Sequence, residues 1–563
     1  MIRPAQDEAA WDLFVFRKAR ESLRSQTLRD QLLSSLRAAL ARADQDGLLN
    51  CLIRAGELEC ALADMGSPEA GRAARAVDAL AAATLQVGPP EADLLSAFSR
   101  LTLPAAVCLS HAEGFSYYGL HPLDFWDLAQ QVKLEAASAA VIGIRSIGTT
   151  LSSIVCRALQ CRGLAAERIT VRPAGPPYRR RLQFSSEQLS WLRQHLERCA
   201  EFLVVDEGPG FSGSSFAAVG RALRQAGVHN SRILLLGSRT PEATELRSRF
   251  DPEWSGFRFC SVVQGTRVPA KAKVYCAGGY WRQNHFSGLE DWPACWTQLE
   301  RNKYFSTDGS SLFKFEGFGR YGEAVYERAQ ELAAAGFGPQ VLGYDNGFVE
   351  YAAVPGPPMR ARQCNREVLL RLAQYCAFRL ATQAAAAPGP VSLESMLQHN
   401  LQLEFGLRQV GLKLPLEKLV VADSRMMPHE WIASRELLIK TDGASHGDDH
   451  LFPGPTDIAW DLAGVIAEWE LGREQQSFFL DEYQRRSGDE ACSRVPAYLL
   501  AYSVFRMACC RMGAAAMAAW DESERLWREY LRHRRRVASL LGLHESGHHR
   551  PGLLTPLPAQ QAA

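Results

Sequence analysis

Short apolar runs alternate with helix-like stretches between residues 105 and 290, and few architectures accept that order. The runs are Ala139–Ile144, Phe202–Val205, Ile233–Leu236 and Lys273–Cys276. Between them, 151–159 and 215–226 carry the spacing of helices. Strands alternating with helices predict a mostly parallel sheet covered on both faces.

Two of the strand ends carry chemistry. After Val205 come two acids, Asp206 and Glu207, then a loop of Gly208, Pro209, Gly210, Phe211, Ser212, Gly213, Ser214 and Ser215, with a helix predicted from about Phe216. Small residues at a helix N-terminus expose backbone N–H groups to an anion, and the helix dipole favours negative charge there. Ser212, Ser214 and Ser215 add hydroxyl donors. The two carboxylates can accept hydrogen bonds from adjacent sugar hydroxyls, so the group suits a phosphorylated ribose. One strand earlier, Arg145, Ser146, Gly148, Thr149 and Thr150 form a second small-residue loop that also opens a helix. Arg145 offers a charge-assisted contact to a phosphate. The Pro-, Gly- and Arg-rich stretch 171–181, with Arg179, Arg180 and Arg181, reads as a mobile surface loop.

This order resembles type I phosphoribosyltransferases. The resemblance implies that Asp206 and Glu207 hold the ribose 2′ and 3′ hydroxyls of phosphoribosyl pyrophosphate. It also implies that the Gly210–Ser215 loop wraps the 5-phosphate, Arg145–Thr150 takes the pyrophosphate, and Arg179 and Arg180 belong to a catalytic hood. The loop carries one more residue than the family pattern between its acids and its Ser-Gly-Ser-Ser end. The implied reaction is a glycosyltransferase displacement at the anomeric carbon, with magnesium bridging the departing pyrophosphate. The acceptor would be a nucleobase-like nitrogen.

A further unit spans about 300–545. It opens with a hairpin whose turn is Asp308-Gly309, followed by a helix from Tyr321 to Ala335. Long helices are predicted over 366–387 and 496–541. The stretch Ser311–Pro339 resembles the small lobe of choline-kinase and aminoglycoside-phosphotransferase enzymes, with Lys314 on a strand and Glu323 and Glu327 on the next helix. In kinase folds a strand lysine paired with a helix glutamate orients ATP phosphates. Residues 346–356 resemble the hinge between lobes. Residues 439–463 resemble the metal-binding aspartate, Asp442, followed by the family's Asp-Leu-Ala helix at Asp461. Asp423 is displaced from the family's catalytic spacing, and Glu430 stands in its asparagine place. Glu430 and Asp442 would then ligate magnesium through oxygen. His446 and His450 read as part of a polar loop beside that site rather than as a separate zinc centre, since their short loop lacks a distant ligand.

The remaining features bound the reading. Residues 1–104 predict a helical adaptor or cap, and 546–563 a disordered tail. With 563 residues, 47% hydrophobic and 22% charged, the chain supports several cores. Its net charge is +1, from 63 basic and 62 acidic side chains, which gives no field for nucleic acid or an anionic membrane. The N-terminus lacks the apolar core of a secretory signal, and no stretch suits a bilayer span. The 14 cysteines are scattered without metal-site spacing, as expected of reduced thiols in a cytoplasmic protein. The fold class expected is α/β multidomain: a helical N-terminal segment, a Rossmann-like parallel-sheet phosphoribosyltransferase domain over 105–290, and a bilobal kinase-like α+β domain. The expected partners are phosphoribosyl pyrophosphate, a base-like acceptor and ATP. A homodimer stays open. So do two alternatives: a sensor that binds phosphoribosyl pyrophosphate or a nucleotide without turnover, and a transferase whose kinase-like unit is a scaffold.

Overall fold

The computed structural model describes residues 7–16, 21–87, 93–175, 180–210, 213–240, 256–263, 265, 267–389, 392–408, 411–434, 437–449, 451–452, 454–517 and 520–543. The predicted tail and Arg179, Ser212 and His450 lie outside these residues. The fold mixes helices with a parallel sheet and an antiparallel sheet.

The chain first forms β1 (Glu21–Arg24) and the helices α1 (Ser25–Arg42), α2 (Gln45–Asp64), α3 (Ala70–Thr84) and α4 (Leu94–Ser99). β1 pairs antiparallel with β2 (Ala106–Leu109), and α5 (Glu113–Ser116) and α6 (Pro122–Gln131) follow. The parallel unit then runs β3 (Ser138–Ile144), α7 (Ile147–Cys161), β4 (Ala165–Val171), α8 (Ser186–Glu197), β5 (Glu201–Val205), α9 (Ser214–Gln225), β6 (Ile233–Gly237) and β7 (Arg258–Ser261). Its strand order is β4-β3-β5-β6-β7, with every neighbouring pair parallel.

All residues of β3, β5 and β6 are buried, as continuous apolar strands between two helical layers must be. Alternate residues serve opposite faces. Val141, Leu203 and Leu234 join Leu151 and Val155 of α7, whereas Ile142, Val204 and Leu235 join Leu192 of α8 and Leu223 of α9.

One predicted strand belongs elsewhere. Lys273–Cys276 does not extend the parallel sheet. Its β8 (Val274–Tyr275) pairs antiparallel with β9 (Lys303–Phe305) at the edge of the second sheet. That sheet has the order β11-β12-β10-β9-β8 and includes β10 (Ser311–Phe315), β11 (Val341–Asp345) and β12 (Phe348–Ala352). The hairpin turn is where the sequence placed it, with Gly309 at φ 69°. Between β10 and β11 runs α10 (Arg320–Ala334). Phe313, Phe315, Phe318 and Phe348 enter the same core cluster as Val141 and Leu203, so the two sheets share apolar packing.

The rest is mainly helical: α11 (Arg366–Thr382), α12 (Leu393–Phe405), α13 (Ala459–Glu468), α14 (Arg473–Ser487), α15 (Val495–Ala516) and α16 (Trp520–Leu540). Short strands interrupt it as β13 (Leu419–Val420), β14 (Trp431–Ser434), β15 (Leu437–Lys440) and β16 (Thr456–Asp457). The helix predicted over 366–387 stops at Thr382, because Ala385 N–H turns to Leu419 O and Val421 N–H to Gln383 O, drawing the chain toward β13. The helix predicted over 496–541 is two helices, and α15 and α16 pack on each other.

The N-terminal segment is also more than a helical cap. Leu13, Val15 and Phe16 enter the core of the C-terminal unit. Asn400 fastens them there, accepting from Phe14 N–H at 2.8 Å and donating to Phe14 O at 2.7 Å.

Candidate functional site

The parallel order places β3 beside β5, where the chain reverses its direction of sheet growth. Ligands of open α/β sheets bind outside the carboxyl ends of the strands at this switch point. Both sequence-predicted loops leave from there, one from β3 and one from β5. They are packed on each other as well as adjacent: a Cβ on Gly148 would stand 2.5 Å from Val205 O. Ser146 sits at φ 111°, ψ −116°, a backbone state that costs a non-glycine residue energy. Its hydroxyl donates to His111 O at 3.2 Å.

At the end of β5, Asp206 and Glu207 are only partly open to solvent. Burial pushes Asp206 up to about 7, against the help of the Glu207 N–H and of Arg172 and Arg180. Glu207 is held well above the carboxylate range by burial and by Glu113 and Asp206, although its Oε2 accepts Gly114 N–H at 2.9 Å. Gly210, Gly213, Ser214 and Ser215 form the turn into α9, with Gly213 at φ 63° and its N–H on Gly210 O. Ala174 and Arg181 exchange two 2.8 Å backbone hydrogen bonds, and Arg180 NH1 lies 3.5 Å from Pro173 O.

Two of the side chains predicted to meet pyrophosphate have protein neighbours. The Arg145 guanidinium turns to Asp64 Oδ1 at 3.3 Å, Ala63 O at 3.2 Å and Thr170 O at 3.3 Å. Asp64 also takes Arg172 at 2.6 Å, so the end of α2 gathers both arginines. Thr149 and Thr150 are buried within α7, and Thr150 Oγ1 lies against Gly56 of α2, since a Cβ there would meet it at 2.1 Å. The Thr150 side chain faces the N-terminal helices, not the loop. The N-terminal helices thus pack on α7 and take the Arg145 side chain, which their bland composition did not signal.

A cavity of about 920 Å³ lies between the antiparallel sheet and the helical unit. Leu312 and Lys314 of β10, the backbone turn Ala353–Gly356 after β12, Ile432 of β14 and Asp442 line it. Lys314 pairs with Asp442, donates to Ser445 Oγ at 2.6 Å and meets Glu316 Oε1 at 3.1 Å. Glu323 is exposed on α10 and makes no pair with Lys314. The lysine's acidic partners are Glu316 and Asp442, and Glu316 is itself braced by Tyr351 at 3.1 Å and Arg301 at 3.4 Å. The residues that face the core on this helix are Gly322, Val325, Ala329 and Leu332.

Asp442 and Glu430 converge. Their oxygens lie 3.1 and 3.7 Å from the same His446 Nε2. Burial opposes the charge on Asp442, but Lys314, His446 and Lys303 hold it well below the usual carboxylate range. Lys440 Nζ is 2.8 Å from Glu430. Among the described residues, Asp423, Glu430 and His446 bring ligand atoms within 4.8 Å of one another, a set that could hold a metal ion, and Asp442 flanks it through His446. Sequence reading missed Lys303, Lys440 and Glu316. Their signal was weak, because lysines and glutamates at strand ends usually face water.

The loop before β14 is fixed from α13. Asp461 accepts the N–H of Asp423 and of Ser424, each at 2.9 Å, and Ser424 takes φ 65°. Asp423 is fully buried, bonded to Tyr375 and 3.5 Å from Lys440. It does not line the cavity. Arg425 does, and its NH2 lies 2.9 Å from Asp449.

The segment after β2 joins the two regions. Gly114 N–H bonds Glu207, while Phe115 O accepts Phe318 N–H at 2.9 Å and Ser116 O accepts Arg301 at 3.1 Å. Arg301 also lines the cavity.

No protein-family model matches the chain, and no curated protein matches it. Among solved structures, it is similar to choline kinase LicA from Streptococcus pneumoniae, with TM-score 0.32 and 13% identity over 45% of this chain and 92% of that one. A choline/ethanolamine kinase family protein from Mesorhizobium loti aligns with TM-score 0.29 and 16% identity, over 43% and 90%. Macrolide 2′-phosphotransferase MphH from Brachybacterium faecium aligns with TM-score 0.28 and 13% identity, over 45% and 90%. Among the described residues, no helix is long and apolar enough to cross a membrane.

Proposed function

We propose that this chain is a two-site transferase. The first site moves a 5-phosphoribosyl group from phosphoribosyl pyrophosphate to a nucleobase-like nitrogen. The second moves a phosphoryl group from ATP to a small acceptor. The observation that carries the first assignment is the packing of Gly148 against Val205, which sets the Ser146–Gly148 loop beside the Asp206–Glu207 end of β5 at the β3/β5 switch point. Asp206 and Glu207 would accept the ribose hydroxyls. The N–H groups opening α9, with Ser214 and Ser215, would take the 5-phosphate. Arg180, close enough to act on Asp206, would cover the site. The bond from the anomeric carbon to pyrophosphate breaks with oxocarbenium character, so positioning and charge carry the catalysis.

In the second site, Lys314 and Lys303 supply positive charge for nucleotide phosphates, and the turn Ala353–Gly356 offers backbone groups to a base. Glu430 and Asp442 would hold magnesium, which neutralises phosphate charge when bound.

The first assignment is tested with the full chain, magnesium, phosphoribosyl pyrophosphate and a panel of nucleobases. Pyrophosphate release that depends on Asp206 supports it. A second reading, ligand sensing without turnover, is favoured by Arg145, whose guanidinium is committed to Asp64 rather than to the pyrophosphate loop. Saturable binding of phosphoribosyl pyrophosphate with no release across the panel would establish that reading instead.

A further inference from the structure

A third concavity, of about 950 Å³, lies between α3, α4 and α7, and none of its lining residues belongs to either candidate site. Four arginines line it: Arg72 and Arg75 on α3, Arg100 just past α4, and Arg157 on α7. The one carboxylate among the lining residues is Asp78, and Arg168 of β4 bridges it to Glu59. Arg72 has Glu69 at 3.2 Å. Among the described residues, Arg75 and Arg100 have no hydrogen-bond or ion-pair partner. Arg157 donates only to neutral groups, Val87 O at 2.7 Å and Gln160 Oε1 at 3.3 Å, and its buried Nε has no acceptor among those residues. Three guanidiniums therefore stand against at most one uncompensated carboxylate.

A solvated helix face commonly mixes its signs, so that each cation meets an acid one turn away. The groove face of α3 does not: its arginines stand over alanine, with Ala76, Ala79 and Ala82 of α3 facing Ala97 of α4. Methyl groups leave open the space that leucines would fill. Like charges on a concave wall repel one another and focus their field into it. Gathering them costs the folded chain stability, and an anion in the groove removes that cost. The whole chain carries a net charge of only +1, so the field is local to this groove.

We propose that this groove is a binding site for a phosphoanhydride, either free pyrophosphate or the polyphosphate of a nucleotide. A guanidinium grips phosphate oxygens through paired N–H donors. Arg75, Arg100 and Arg157 come from three different helices, so together they match an anion whose charge is spread over more than one phosphoryl group. A single carboxylate or phosphate would leave part of the wall unmatched. The alanine floor accepts an apolar face of the same ligand, as a nucleotide's base provides. Nucleic acid is met instead by an extended basic face, which the near balance of 63 basic and 62 acidic side chains does not supply.

The test uses the full chain and phenylglyoxal, which modifies accessible guanidiniums, with each arginine read by peptide mass spectrometry. The probes are pyrophosphate, ATP, citrate and a single-stranded oligonucleotide. Pyrophosphate, ATP or both should protect Arg75 and Arg100, while Arg528, exposed on α16, reacts alike throughout. Equal protection by the two assigns the anhydride alone, and protection by ATP only assigns a nucleotide. Calorimetry with the protecting probe should still show this binding in an Asp206→Asn/Asp442→Asn background. Adding Arg75→Gln and Arg100→Gln there should weaken it by about 100-fold, ~10-fold for each charge-assisted contact. Both side chains are exposed, so in the absence of ligand the Arg75→Gln/Arg100→Gln protein should melt no lower than the wild type. Four results would overturn the proposal: no protection by pyrophosphate or ATP, stronger protection by citrate, protection by the oligonucleotide at lower concentration than either, or unchanged affinity after the two arginine substitutions.

Discussion

The two candidate sites treat their acids in opposite ways. At the switch point, burial outweighs nearby cations: Asp206 is raised to about 7 and Glu207 well above the usual range. In the cleft and just beneath it, cations outweigh burial: Asp442 and the buried Asp423 are both held below it. Acids that burial disfavours gain when a ligand brings hydroxyl donors, which suits a sugar diol. Acids already matched by lysine and histidine form a balanced charge cluster, into which a nucleotide and its cation enter by exchanging partners. One site waits for donors and the other for ions.

The contrast is broken most directly at Asp442. Asp442→Asn removes the carboxylate that gathers Lys314, Lys303 and His446. We expect ATP-dependent transfer to fall on the order of 10³-fold, the scale of losing one preorganised charge contact. Pyrophosphate release at the other site should be preserved. A parallel loss of both activities in a folded variant would show that the sites are not separable.

Asp206→Asn tests the other side. Pyrophosphate release should drop on the order of 100-fold. The same substitution should stabilise the ligand-free protein at pH 8, which a binding residue matched to its surroundings would not do. The sign follows from the raised value. The folded chain holds the Asp206 proton where the unfolded chain has lost it, so this group withdraws stability as pH rises from 3.8 to about 7. Asparagine carries no charge to bury. The melting temperature of the variant should exceed that of the wild type increasingly across that window and stay above it at pH 8. Equal melting temperatures at pH 5 and pH 8 would refute the account of Asp206.

The uneven legibility of the two sites has a physical cause. The parallel sheet was readable because fully buried strands are written as unbroken apolar runs, as in Phe202–Val205 and Ile233–Leu236. The acid pair and the turn into α9 were readable because they are consecutive in the chain. Side-chain direction was not. Nothing in Arg145 reveals that Asp64, more than 80 residues earlier, takes its guanidinium. Nor does Lys273–Cys276 reveal which of two sheets it will join, since a four-residue run pairs by tertiary context. The cleft suffered most, because Lys314 meets Asp442 and Ser445 across the chain, and a helix glutamate at the expected spacing was only the nearest guess.

Gly148→Ala probes whether the two loops must touch for the first site to form. The added methyl would lie 2.5 Å from Val205 O, backbone against which it cannot yield cheaply. We expect a loss of about 1–3 kcal/mol, the usual cost of overpacking, and weaker binding of phosphoribosyl pyrophosphate measured calorimetrically. Normal affinity in a destabilised variant would mean that the loops' contact serves the fold and not the site.

The smallest expected effect is the sharpest discriminator within the cleft. Glu316 is buried, bridges Lys314, Tyr351 and Arg301, and through Arg301 reaches Ser116 beside Glu207's partner Gly114. Glu316→Gln keeps its shape and hydrogen bonding but removes the charge that positions Lys314. It should raise the ATP KM by roughly 10-fold, the equivalent of about 1.4 kcal/mol. Glu323→Gln, on the exposed face of α10, should stay within about 0.5 kcal/mol in stability and leave the KM unchanged. If Glu323→Gln proved the more damaging, the helix would swing inward on nucleotide binding and restore the lysine–helix glutamate pair that the sequence suggested. If Glu316→Gln also altered the affinity for phosphoribosyl pyrophosphate, the chain of contacts from Glu316 through Arg301 to the 114–116 segment would couple the two sites, and their opposite electrostatics would belong to one linked equilibrium.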